Sequence, residues 1–144
     1  MPYRSIRAII EHQDVISATG AMTVQEAARL MKEKHIGALM IVEEGKLAGI
    51  FTERDVLFRV VADDRDARTT RLTDVMTRNP QTIHPDKPFP DALHLMYEGG
   101  FRHVPVVEDG RPIGVISARD ALGPELEDFI YEVLRREQAT DILA

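Results

Sequence analysis

The stretch Gly49–Asp55 reads GIFTERD, and Gly114–Asp120 reads GVISARD. Each joins a β-rich apolar run to a hydroxyl residue, Thr52 or Ser117, and places an aspartate three positions later. The two glycines are 65 residues apart, and the same offset aligns Val42 with Val107, Glu43 with Glu108, Gly45 with Gly110, Arg54 with Arg119 and Asp55 with Asp120. Six identities therefore fall in the 20 positions from Ile36 to Asp55, where unrelated segments of average composition give roughly one or two. Upstream, Ala27, Leu30, Met31 and Glu33 fall on Ala92, Leu95, Met96 and Glu98. The chain is an internal duplication.

Each copy reads as helix, strand, hairpin, strand, helix, an α/β (α+β) pattern. In TVQEAARLMKEK, Val24, Ala27, Ala28 and Met31 recur at i, i+3, i+4 and i+7, one apolar helical stripe. ALMIV is a short β-rich run, EEGK supplies a Gly-containing turn, LAGIFT returns, and ERDVLFRVVA resumes helical spacing. The second copy repeats the order with PFPDALHLMYE, VPVV, EDGR, PIGVIS and ARDAL, with proline at the helix entrance. DDRDARTTR between the copies reads as an exposed, mobile connector. The resulting division is an N-terminal segment 1–14, repeats 15–62 and 72–122, a linker 63–71 and a C-terminal helix 123–144. Copies of roughly 55 residues offer little core alone, so the two are expected to pack by their sheets.

Composition narrows the function classes. Hydrophobic residues at 44% and charged residues at 29% describe a soluble globular chain of 144 residues. The absence of cysteine excludes disulfides, thiolate metal sites and cysteine nucleophiles, and points to a reducing cytoplasm. MPYRSIRAIIEHQDV, its apolar run broken by charge, reads as neither a signal peptide nor a membrane span. A net charge of −6 argues against nucleic acid or a membrane as partner, since both need a basic surface. Anionic ligands must be held by local donors. The five histidines share no ligand-like spacing, and no Walker loop or nucleophile elbow is present. Neither a metal site nor catalysis is expected.

The opening motif supports two readings. As a capping box, the hydroxyl accepts from a backbone N–H while the acid reaches back to the cap residue. As a ligand site, the same helix start offers N–H groups and positive potential to phosphate, and an ionised aspartate accepts from ribose hydroxyls. Arg54 and Arg119 add charge-assisted phosphate contacts.

IGALMIVEEGKLAGIFTERD and FRHVPVVEDGRPIGVISARD resemble the signature halves of paired cystathionine-β-synthase (CBS) domains, a tandem also called a Bateman module. The resemblance runs from Val15 to Leu122 and leaves no separate catalytic domain, as in stand-alone CBS-pair proteins. It implies two βαββα repeats packed about a pseudo-twofold axis, with two clefts that hold adenosine-containing ligands. Such ligands are AMP, ADP, ATP, S-adenosylmethionine or a nicotinamide dinucleotide (NAD(H)). By the same resemblance, Thr52, Arg54 and Asp55, and Ser117, Arg119 and Asp120, contact ribose and phosphate. Adenine is expected against Ile36, Gly37 and Ala38, or Phe101, Arg102 and His103. Ile16, Thr82 and Ile83 are expected to border the ligand. Because Arg102 and His103 replace Gly37 and Ala38, the clefts should not be equivalent.

After ALGP, Leu126, Phe129, Ile130, Val133 and Leu134 share one face of a helix with acids in its first turn. CBS pairs form disc-like dimers through helices, so this stripe is a candidate surface for a homodimer or for a regulated partner protein. The expectation is a cytoplasmic, homodimeric regulator that binds adenine nucleotides. The alternative is a ligand-independent adaptor.

Overall fold

The computed structural model describes residues 3–143, with side chains through Gln138. Element order is α1 (Ile6–Ile10), β1 (Ser17–Ala18), α2 (Val24–Lys34), β2 (Ala38–Glu43), β3 (Lys46–Thr52), α3 (Glu53–Asp55), α4 (Leu72–Val75), β4 (Thr77–Arg78), α5 (Phe89–Gly99), β5 (His103–Glu108), β6 (Arg111–Ser117) and α6 (Gly123–Leu143). A π-helical run, Val56–Val61, continues α3, and a 3₁₀ turn, Ala118–Asp120, comes directly after β6. Residues 1, 2 and 144 of the expected terminal segments lie outside the described residues.

The duplication is visible bond by bond. β2 and β3 form an antiparallel hairpin across the pair Glu43↔Lys46, as do β5 and β6 across Glu108↔Arg111. The two-residue loops carry positive φ at Glu44 and Gly45, and at Asp109 and Gly110, which matches the right-handed twist of the flanking strands. Each hairpin shifts register at the same place, between Ile41 and Val42 and between Val106 and Val107. β1 pairs parallel to β2 through Ala18↔Ile41, and 65 residues on Ile83 bridges Val106 in the same sense.

α2 forms as the apolar stripe predicts. Thr23 and Glu26 close a capping box at its start, and His35 ends it in the left-handed region at φ 55°. Val24, Ala27 and Met31 face a core shared with Leu39, Ile41 and Phe51. α5 packs Phe89, Ala92, Leu93 and Met96 against Val104, Val106 and Ile116 in a second core.

The segments that lead into the repeats are exchanged. α1, which precedes the first repeat, puts Ile6 and Ile10 into the second core. α4, which precedes the second, puts Leu72, Val75 and the adjoining Met76 into the first. The motif glycines make room for this exchange. A Cβ on Gly49 would stand 2.7 Å from Met76 Sδ and 2.8 Å from the Thr77 carbonyl, and one on Gly114 would stand 2.9 Å from Ile10.

Two sequence expectations are corrected. The connector is not a loose tether: Thr70 is buried, its carbonyl accepts from Val24 N at 2.9 Å, and the Ala67 carbonyl accepts from Gln25 N at 2.9 Å. It satisfies the orphan N–H groups of α2. Nor does ARDAL continue as a helix. The 3₁₀ turn ends at Ala121, which is extended at ψ 131°, and a separate helix starts at Gly123.

Candidate nucleotide clefts

β3 and β6 deliver the two motifs to the ends of their hairpins, where strand gives way to turn. In the first, Asp55 Oδ2 accepts from Thr52 N at 2.9 Å and from Thr52 Oγ1 at 3.2 Å, while Asp55 N donates to Thr52 Oγ1 at 3.3 Å. In the second, Asp120 Oδ2 accepts from Ser117 N at 2.7 Å and from Ser117 Oγ at 3.4 Å. The capping reading is thus realised in both copies. It does not exclude the other, because the cap engages only Oδ2. Asp55 Oδ1 lies 3.5 Å from Arg59 Nε, and Arg59 also donates to the carbonyls of Val75 and Met76. This guanidinium ties the motif to the end of α4.

Each motif is tied to the start of its own hairpin and faces the start of the other. Glu53 N donates to the Gly37 carbonyl at 3.0 Å, and Ala118 N to the Arg102 carbonyl at 3.1 Å. These equivalent bonds hold the two motifs alike within their repeats. The first cleft holds about 590 Å³ and brings together Thr52, Arg54 and Asp55 with Phe101, Arg102 and His103. Its apolar walls include Ile50, Leu57, Phe58 and Pro80, and its polar rim adds Asn79 and Gln81. Arg54 spans it, donating to the Gly100 carbonyl at 3.0 Å. The second cleft, about 190 Å³, brings together Ser117, Arg119 and Asp120 with Ile36, Gly37, Ala38 and Ile16. A hollow of about 710 Å³ adjoins it, sharing Ile36, Gly37, Ser117 and Arg119 and carrying Lys32 and Arg102 along its wall.

Thr82 and Ile83 are not brought to either of these clefts. Ile83 is buried in the second core and pairs with Val106, and both residues line a shallow depression beside α5. The segment that reaches the first cleft is the one just before them. Asn79 there adopts φ 47°, and Asn before Pro80 is a turn signal the sequence carried. Sequence reasoning also missed Leu57 and Phe58, because their helical spacing reads as core.

Electrostatics distinguish one residue of the clefts. Burial lowers the His103 pKa below its ordinary value, with Arg119 and Arg102 acting in the same direction against Glu53 and Asp120. Far from the clefts, His84 meets Asp86 and Glu108, with ligand-type atoms within 4.8 Å of one another. Arg7 bonds both acids there, at 3.0 Å and 2.7 Å, so the cluster is joined as an ion-pair network.

Comparison with known proteins agrees with this geometry. The profile of the CBS domain family matches residues 6–62 and again residues 72–124. CBS domain-containing protein YhcV of Bacillus subtilis is 34% identical over 106 residues, covering 74% of this chain and 75% of that protein. CBS domain-containing protein CBSCBSPB1 of Arabidopsis thaliana is 38% identical over 103 residues, which cover 71% of this chain but only 19% of that protein's length. A protein with CBS domains from Burkholderia ambifaria superposes with a TM-score of 0.77 at 34% identity, over 81% of this chain and 90% of that one. The CBS domain pair of protein MJ0100, solved with 5′-methylthioadenosine and S-adenosyl-L-methionine, gives a TM-score of 0.75 at 30% identity, over 83% of this chain and 93% of that one. Among the described residues no helix is long and apolar enough to cross a membrane. With two matching copies in sequence and two equivalent hairpins in space, the chain belongs to the CBS domain family as a tandem pair.

Proposed function

We propose that the protein is a regulatory module that binds an adenosine-containing ligand, AMP, ADP, ATP or a related compound, in the first cleft. One observation carries this reading: the first cleft is walled by motif residues of one repeat and by the opening of β5 from the other. A ligand there touches both halves, and its binding energy acts on their relative position. The volume of about 590 Å³ suits a small-molecule site, which typically holds about 300–1,000 Å³. Its chemistry suits a nucleotide. Phe101, Phe58 and Ile50 offer apolar faces for a base, Asp55 Oδ1, shared with Arg59 at 3.5 Å, an acceptor for ribose hydroxyls, and Arg54 and Arg102 charge for phosphate. The MJ0100 pair, similar in fold, holds adenosine compounds, which supports the ligand class.

Regulation rather than catalysis suits the same site, which offers recognition groups around a shared wall. A homodimer belongs to this reading. α6 leaves Leu126, Ile130 and Leu134 exposed along one face, and that stripe supports self-association or contact with the regulated protein. Calorimetric titration with AMP, ATP, NADH and S-adenosylmethionine tests the ligand. Micromolar binding of one of them supports the sensor, and silence of all four up to millimolar concentration leaves the adaptor reading in its place.

A further inference from the structure

The two copies of the motif share a sequence but not a setting, and the difference converges on one side chain. In the 65-residue register His103 stands where the first repeat has Ala38, and Arg102 where it has Gly37. The small residues border the second cleft, which should make it the roomier. The pocket that holds Asp120 is instead the smaller, about 190 Å³ against about 590 Å³, although Ser117 and Arg119 also line the neighbouring hollow of about 710 Å³. His103 lines that pocket and the hollow beside it, together with Gly37, Ser117 and Arg119, and so stands at their shared wall. Its ring crosses to the opposite repeat, where a Cβ built on Gly37 would stand 3.4 Å from His103 Cε1. The space that Gly37 and Ala38 leave open is filled from the far side. Met40, fully buried, and Gln13, bonded to Val115, close the rest of the wall.

The motifs also open into different backbone. Thr52–Asp55 starts a helical run that continues unbroken to Val61. Ser117–Asp120 heads a three-residue turn whose chain then leaves in an extended conformation. Aligned peptide dipoles and unpaired N–H groups that favour an anion need several helical residues behind them. The second copy lacks them.

We propose that His103 plugs the second cleft, so that each chain carries one working nucleotide site, at Thr52–Asp55, while Ser117–Asp120 serves as a structural cap. This inference rests on the nucleotide reading of the first cleft and specifies its stoichiometry. His103 is a specificity-determining residue in this sense: it decides which of two sequence-equivalent sites can open. Replacing it by alanine installs the residue that the equivalent position already has, so the substitution is matched to the fold.

Titration of the full-length protein with AMP and with ATP tests the proposal. The parent protein is expected to bind one equivalent per chain and His103→Ala two. His103→Gln, which retains side-chain bulk, is expected to bind one, and adding Asp120→Ala to His103→Ala should return the count to one. Two equivalents in the parent, or one in His103→Ala, overturns the proposal. A crystal structure of unliganded His103→Ala separates this claim from the nucleotide reading. A second cleft enlarged towards the size of the first supports the plug even if no nucleotide binds. A cleft that has collapsed to its present size overturns it even if one does.

Discussion

The side chain of Gln13 holds both backbone groups of Val115: its Nε2 donates to the Val115 carbonyl at 2.9 Å, and its Oε1 accepts from Val115 N at 2.7 Å. In the first repeat the corresponding edge is held by a strand, β4, which pairs Thr77 with Ile50 and Arg78 with Gly49. One primary amide thus does for β6 what a peptide backbone does for β3. Gln13→Ala should lower stability by about 1–3 kcal/mol, two hydrogen bonds at roughly 0.5–1.5 kcal/mol each. Gln13→Glu, which retains the acceptor and loses the donor, should cost about half. Urea denaturation reads both as a lower midpoint at unchanged slope.

The aspartates provide a paired test. Asp55→Ala and Asp120→Ala each remove a cap and should each cost about 0.5–2 kcal/mol in thermal or chemical unfolding. Only Asp55→Ala should also weaken AMP, by tenfold or more, since losing a charged acceptor costs about 1.5–3 kcal/mol. Equal loss of affinity in both variants would contradict a single working site.

His103 makes stability depend on pH with a definite sign. Its folded pKa lies below the ordinary 6.5, with burial the largest cause. The unfolded chain therefore takes up its proton first as pH falls. The contribution is fully present above about 6.5 and is lost as pH drops through the folded value. Arg119 and Arg102 oppose protonation in the folded state, and Glu53 and Asp120 favour it. Between pH 7 and pH 5 the parent should lose more stability than His103→Gln, and denaturant titrations at several pH values measure the difference.

Gly49→Ala and Gly114→Ala should both destabilise, by about 1–3 kcal/mol, as overpacking does. The former is expected to cost more. Its new methyl meets the Thr77 carbonyl of the backbone at 2.8 Å, whereas the Gly114 methyl meets side-chain atoms alone, Ile10 Cβ and Cγ2 at 2.9 Å and Gln13 Oε1 at 3.0 Å. Melting curves of the two variants rank them.

Light scattering should report a dimer of the 16.2 kDa protomer. Ile130→Glu combined with Leu134→Glu should shift it to monomer if α6 is the interface. These positions are exposed, and changing them leaves intact the Glu125 carboxylate that anchors the helix to Arg4 at 2.5 Å. A dimer that survives the double change assigns the stripe to another partner.

Features that recur locally were legible in the sequence. Glu44-Gly45 and Asp109-Gly110 announce their hairpins, Val24, Ala27 and Met31 their helix, and Thr52-x-x-Asp55 its cap. The cleft residues Phe101, Arg102 and His103 were also legible through the offset. What was hidden depends on contacts distant in sequence. Nothing near Ile6 or Leu72 says which core each will join. Nothing near Gln13 says that its amide will pair, as a strand would, with Val115, 102 residues away. Thr82 and Ile83 were expected at a cleft because the family resemblance places the segments before the first helices there, but Ile83 is buried and bridges Val106, and it is the turn at Asn79 and Pro80 that lines the first cleft. His103, by contrast, was visible as an asymmetry whose direction only the packing reveals.

The crossed placement of α1 and α4 amounts to a domain swap performed within one chain. An isolated half would carry its leading helix with no core to receive it and a core with its lid missing. Two such halves could complete each other only as a reciprocal pair. Unfolding should therefore be a single cooperative event, with neither half melting first, because each closes the interior of the other.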